Sequence, residues 1–410
     1  MSLRVKSLNA DSSFLLIFSP PAAAHDPQGT FPGSFTILID PWLSGPSTVV
    51  HPKFAHTTHT VPSCVESLDA LPDPDVVLIS QDQPDHCHRQ TLLTLPSDSR
   101  ANIFAIAPAA RKIRSWKHFD PQRVHSMTRF DERHPQKSII NISIPAYSHA
   151  GQPGQVTIAF LQPKRDITGL HNAVGITYRP PSSSLSNRNT SYLELAPLSP
   201  PTTPPALEGG HERYSYTNFG NLSHRDSTDG LSSPPMTPPS ISTVSTTSLG
   251  GTLPLTPTTN TISAPFYADI TSHCRERALS VIYSPHGLPY SLIKPYATSH
   301  LLPQSALPLT ALFHCLDRVD NPWYLGGRIV DGGEAGAEIA KALNARVWVS
   351  AHDEEKQTSG WSVSRMKCVK MDVEDARALL RRSSDVKISK TANSTRVVEL
   401  DSGEELLLKG

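Results

Sequence analysis

Apolar residues along this chain fall in short runs bounded by turn residues, with few helical stripes. Phe14–Phe18 (FLLIF) and Thr36–Ile39 (TILI) read as paired strands, and the Pro-, Gly- and His-rich stretch between them as a long hairpin loop. Asp75–Ser80 (DVVLIS) is a continuous apolar run, the pattern of a strand buried on both faces. A helix is expected from about Arg89, a strand at Ile103–Ala107 and a second helix over 109–119. Ile139–Ile144 alternates apolar and polar residues, Val156–Leu161 does so loosely, and Val174–Tyr178 continues the theme; these suit half-exposed strands. Later, Ala278–Tyr283, Ala311–Cys315 and Arg346–Ser350 read as strands, and Gly333–Leu343 and Val373–Arg382 as helices. Val397–Leu400 and Leu406–Leu408 suggest a closing hairpin. Strands interleaved with helices predict a layered α/β body in place of an all-β sandwich.

Between about Pro180 and Ile262 this patterning vanishes into Ser, Thr, Pro and Asn. Such a stretch cannot bury enough apolar area to offset ~1–2 kcal/mol per residue of backbone ordering. It is expected to be a disordered insertion, 180–262, in one domain whose halves are 1–179 and 263–410. It carries Ser199-Pro, Thr203-Pro, Ser233-Pro, Thr237-Pro and Thr256-Pro, which makes a proline-directed kinase an expected partner. Lys+Arg and Asp+Glu number 37 each, so the formal charge is zero and a strongly basic nucleic-acid-binding surface is excluded. The five cysteines are scattered, without a CxxC pair, which argues against a disulfide framework and for a reducing, cytoplasmic setting. No run approaches the ~20 apolar residues of a membrane span.

Candidate chemistry is concentrated directly after the doubly buried strand, in Ser80–His88 (SQDQPDHCH). The end of a strand before a helix is where α/β proteins build sites. Asp85 and His86 are adjacent, so they reach a common ion only from a loop, because neighbours on a strand point to opposite faces. Carboxylate oxygen and imidazole nitrogen are ordinary zinc ligands. Cys87 has no arranged base beside it and reads as a small buried residue.

An apolar strand ending in Asp-Pro-Trp-Leu (Ile37–Leu43, ILIDPWL), a second strand and then this loop resemble the metallo-β-lactamase superfamily, in particular its lactonase-like branch. The family motif His-x-His-x-Asp-His corresponds here to Gln81–His86 (QDQPDH), with glutamine in place of both leading histidines. Val347–Lys356 (VWVSAHDEEK) resembles the late strand and loop that deliver the final family histidine, here His352. The resemblance implies an αββα sandwich and a metal-dependent hydrolase. It implies a surviving ion site of Asp85, His86 and His352, with Asp85 holding the metal or sharing a proton. His149, after a strand, is the candidate third histidine of the other ion site, and His171 is the runner-up. His286 stands where the family places a bridging Asp, or else occupies an ordinary turn. Asp40 is a candidate to orient a ligand imidazole through its other nitrogen.

Glutamine offers a neutral amide oxygen, a weaker zinc ligand than imidazole. A single zinc is therefore expected, acting on an ester, lactone or phosphodiester. The rival expectation is a non-catalytic relative that binds a ligand or partner in the old cleft.

Overall fold

The computed structural model describes residues 1–23, 26, 28–149, 151–164, 169–182, 215–217, 277–382 and 395–410. The first apolar runs form β1 (Ser2–Ser7), β2 (Phe14–Ser19) and β3 (Phe35–Ile39), an antiparallel meander. Two short strands, β4 (Ser47–Val49) and β5 (Ala55–Thr58), leave it before the chain returns as β6 (Val76–Ile79). Helix α1 is a single turn, Arg89–Leu92; β7 (Asn102–Ile106), α2 (Ala107–Ser115) and β8 (Val124–Met127) follow. After α3 (Pro135–Ser138) come β9 (Ile139–Ile144), β10 (Gly154–Leu161) and β11 (Ala173–Arg179). Ser215–Thr217 is β12, and β13 (Leu279–Ser284) reopens the sheet. The remainder is α4 (Tyr290–Tyr296), β14 (Ala311–His314), β15 (Arg318–Asp320), β16 (Arg328–Asp331) and α5 (Gly333–Ala342). It ends with β17 (Val347–Ser350), β18 (Gln357–Ser359), β19 (Lys367–Val369), α6 (Val373–Arg381), β20 (Arg396–Val398) and β21 (Glu405–Lys409).

Two large sheets result, ordered β21-β1-β2-β3-β6-β7-β8 and β12-β9-β10-β11-β13-β14-β17-β20. Alternation along the second sheet shows why it has a layer on each side. Leu279, Val281, Tyr283, Phe313, Val347 and Val349 join the core shared with the first sheet, whereas Ile282, Leu312 and Trp348 pack with α4, α5 and α6. Helix α2 covers β7 and β8 of the first sheet through Ala109, Ala110 and Ile113. The layers are α/β/β/α, as the resemblance implies. Phe14 meets Phe313 edge to face at 4.9 Å, and Phe18 stacks on Tyr178 at 5.3 Å, so aromatic contacts stitch the two sheets together.

Two expectations change. Residues 397–400 and 406–408 form no hairpin: β20 lies parallel to β17 in the second sheet, and β21 pairs with β1 in the first. Strands β10 and β11 are almost wholly buried, because helices cover the face that alternation alone assigns to solvent. Within 180–262, Ser215–Thr217 pairs with Asn141–Ser143 as an edge strand; the rest of the insertion, from 183, lies outside the described residues, with all five Ser/Thr-Pro steps. Chain segments on either side of it share one sheet through β11 and β13.

His300 gives the fold a measurable pH dependence. It lies in the helical turn Ala297–Leu301 after α4, is buried, bonds Thr157 Oγ1 at 2.9 Å and stacks on Tyr296. Burial, helped by the Arg179 charge, lowers its pKa from 6.5 to about 4. The folded state therefore keeps His300 neutral, while the unfolded chain takes up a proton below pH 6.5. The stability contributed is complete above 6.5 and is lost as pH falls toward 4, about 3 kcal/mol in all at 1.36 kcal/mol per unit. Urea unfolding of His300→Gln beside the parent should show the gap between them closing by about that amount from pH 7 to pH 4; parallel curves would exclude the effect.

Candidate metal centre

The C-terminal ends of β3, β6, β13 and β17 meet at one end of the sandwich, and the loops that follow them supply the polar residues. After β6, the turn Gln83–Cys87 is closed by His86 N–H and Cys87 N–H donating to Gln83 O at 3.0 and 2.7 Å. It turns Asp85 and His86 toward one point. After β17, His352 is held at φ 74°, a left-handed conformation costly for a non-glycine residue, by its N–H donating to Asp11 O at 3.0 Å. After β13, His286 follows Pro285. Asp85, His86, His286 and His352 thereby bring one ligand atom each within 4.8 Å of all the others.

Each imidazole is fixed through Nδ1, which leaves Nε2 for the site. His86 Nδ1 donates to Asp40 Oδ2 at 2.8 Å, His286 Nδ1 to Ile329 O at 3.1 Å, and His352 Nδ1 to Asp11 Oδ2 at 3.3 Å. With Nδ1 protonated in both rings, the Nε2 lone pairs of His86 and His286 face each other at 3.0 Å. A cation between them, proton or metal ion, turns that repulsion into attraction. Asp85 Oδ2 lies 3.9 Å from His352 Nε2, and Asp85 Oδ1 is buried with no hydrogen-bond partner among the described residues. Three imidazole nitrogens and one carboxylate are a donor set suited to zinc and related divalent ions.

The electrostatics agree with this. Burial, then the neighbouring His352 and His86, push His286 well below the ordinary histidine range, so it is neutral and able to ligate. Burial and Lys356 lower His352 against the pull of Asp11. Burial also opposes charge on His86, but Asp85 and Asp40 together outweigh it and raise its pKa, marking the ring as the place where positive charge is favoured. Asp11 is fully buried, yet Lys356, at 2.6 Å, and His352 hold it ionised well below the usual carboxylate range.

His149, by contrast, is exposed in the turn between β9 and β10. Those strands run antiparallel, and the turn joins the ends paired with Arg179, away from the end where Ala173 and Ser284 lie. Strand direction therefore removes His149 from the centre. His171 is on the correct side but is turned to backbone, with Nδ1 on Gly287 O and Nε2 on Arg328 O, both at 3.1 Å. His88 caps α1 by accepting from Thr91 N–H. Gln81 is buried and donates to Leu170 O at 3.0 Å, so its amide ties two loops together. Cys87 is buried and its thiol is pushed up to about 12, which leaves no thiolate for catalysis.

Asp11, Lys356 and Tyr283 went unrecognised in the sequence. Asp11 sits in an Asn-nucleated turn, where Asn9 Oδ1 accepts from the N–H groups of Asp11 and Ser13. The Asn9–Ser13 turn is the only local signal; its partner His352 lies at the other end of the chain. Asp40, the suggested orienting residue, does touch His86; it also accepts from Tyr283 Oη and Ser80 N–H, at 2.9 and 2.7 Å, from a left-handed φ of 40°.

Residues 36–166 match the family model for a beta-lactamase superfamily domain, a span that includes Asp40, Asp85 and His86. No curated protein matches the chain. Similar solved structures include a metallo hydrolase from the archaeon Ignicoccus hospitalis (10% identity, 100% of both chains covered, TM-score 0.43). A possible metal-dependent hydrolase from Veillonella parvula has 10% identity, 99% coverage of both chains and TM-score 0.45. An isothiocyanate hydrolase from Delia radicum gut bacteria has 11% identity, with 99% of this chain and 100% of that one covered, and TM-score 0.44. Residues 36–166 are thus similar to a beta-lactamase superfamily domain, and the described residues set an Asp/His candidate metal centre at the ends of two paired sheets.

Proposed function

We propose that the protein is a metal-dependent hydrolase with a single-ion centre, acting on an ester, lactone or phosphodiester in the cytoplasm. The observation that carries this reading is the convergence of three Nδ1-anchored imidazoles and Asp85 on one point. A divalent ion held there supplies a Lewis acid and brings water toward its nucleophilic form near neutral pH. His86, His286 and His352 would hold such an ion through their Nε2 atoms. Asp85 is the outermost of the four, its side chain 23% exposed, and no hydrogen-bond partner among the described residues anchors its Oδ1. It is placed to accept a proton at the solvent side. Glutamine at positions 81 and 83, where the family motif has histidine, supports a single ion, because a neutral amide oxygen is a weaker zinc ligand than imidazole.

Elemental analysis of the purified chain, with a fluorogenic ester and bis-phosphodiester panel run with and without chelator, tests the proposal. About one equivalent of zinc, iron or manganese and chelator-sensitive turnover are expected. Asp85→Asn should lower turnover about 100-fold or more while metal content changes far less; equal loss of both would make Asp85 purely a ligand. The Gln81 tether also favours a second reading, a non-catalytic binder, which metal-free protein without turnover across the panel would support. The Ser/Thr-Pro steps of the insertion make it a substrate for a proline-directed kinase, which phosphate stoichiometry on protein from its native cell tests.

A further inference from the structure

Two small sheets extend from the same end of the sandwich as the metal centre. In one, β4 and β5 follow the Asp40–Leu43 loop and β18 follows His352; in the other, β15 and β16 follow β14, and β19 pairs with β15. The segment 361–366 joins them. Residues 41–65 and 356–371 contain Lys53, Lys356, Arg365, Lys367 and Lys370 and no Asp or Glu. Lys356 is taken by Asp11 and Lys370 by Asp317, which leaves Lys53, Arg365 and Lys367 exposed.

Between these cations, apolar side chains face water. Val50 is 90% exposed at φ 61°, a conformation that a β-branched residue adopts only under strain. Trp361 is 47% exposed, with the Arg365 guanidinium 4.6 Å above its ring. Trp323, at the tip of the β15–β16 hairpin, is 87% exposed. Trp361 beside Lys53 and Arg365, in segments without Asp or Glu, is the composition of a surface that enters the headgroup layer of a bilayer; Asp320, near Trp323 and opposite Lys367 in register, is offset by Arg318 and Arg328.

We propose that this face docks the protein on an anionic phospholipid membrane, with Val50 and Trp361 inserting and Lys53, Arg365 and Lys367 meeting the headgroups. The charge complementarity of the two acid-free segments selects that partner. The inference is independent of turnover and stands whether or not the centre is catalytic.

Co-sedimentation of the full chain with vesicles of phosphatidylcholine, alone or mixed with phosphatidylserine, tests it. Binding is expected to the mixed vesicles only and to fall with added salt. Lys53→Ala and Arg365→Ala should each weaken it about five-fold. Val50→Asp and Trp361→Asp should each weaken it about ten-fold or more, with circular dichroism and metal content unchanged. Equal binding to both vesicle types, binding insensitive to Val50→Asp and Trp361→Asp, or no binding would overturn the proposal. So would a parent chain that dimerises by light scattering, through the same side chains, and leaves vesicles untouched.

Discussion

His286→Ala is expected to lower the affinity of the chain for zinc by more than about 100-fold and to abolish chelator-sensitive hydrolysis. Loss of a residue that merely orients a ligand costs 10–100-fold, and loss of a ligand exceeds that. His286 is the stronger test of the centre because the family motif does not include it. Its ring stands 3.0 Å from His86 Nε2 and stacks on His352 at 4.6 Å, so its removal opens one side of the site. The fold should tolerate the change, since its Nδ1 gives up only one backbone carbonyl, Ile329 O. Competition with a chromophoric chelator measures the affinity. Wild-type zinc retention in this variant, against loss in His86→Ala, would place the ion elsewhere.

Asp40→Ala should be the most destabilising single substitution at the centre, by about 3–5 kcal/mol. Asp40 is fully buried and accepts from Ser80 N–H, Ser80 Oγ, Tyr283 Oη and His86 Nδ1. Burial and then the Asp40 charge push the Tyr283 phenol well above its ordinary value, so it remains a donor and needs an acceptor. Alanine removes the acceptor from donors that water cannot reach; Tyr283 alone keeps a second partner, Ser12 O. Asp40→Asn preserves the volume and separates the two roles: a smaller stability loss, with zinc affinity down about 10–100-fold because His86 loses its orienting carboxylate. Urea unfolding followed by metal titration reads both quantities. An asparagine variant with parental zinc affinity would deny Asp40 any part in positioning His86.

The hydrophobic pattern gave most strands of both large sheets within a few residues, since runs such as Val76–Ile79 and Leu279–Ser284 are buried whatever their neighbours are. It failed where burial depends on an element distant in sequence. Strands β10 and β11 look amphipathic, but helices from the other half of the chain cover their outer face. β1, with Ser2, Leu3, Val5 and Ser7 buried, becomes a strand by pairing with β2 and with the C-terminal β21.

The sequence by itself determined the loop chemistry: a doubly buried strand ending in Gln81–His86, with Asp40 and His352 at the ends of other apolar runs. Those features are local, set by residue type and spacing. Only the tertiary structure decided that His286 joins the group, that His149 stands at the opposite end of its sheet, and that Asp11, itself paired with Lys356, holds His352. Strand direction and sheet order fix which loop ends meet, and contacts between residues hundreds of positions apart leave no periodic trace in either segment.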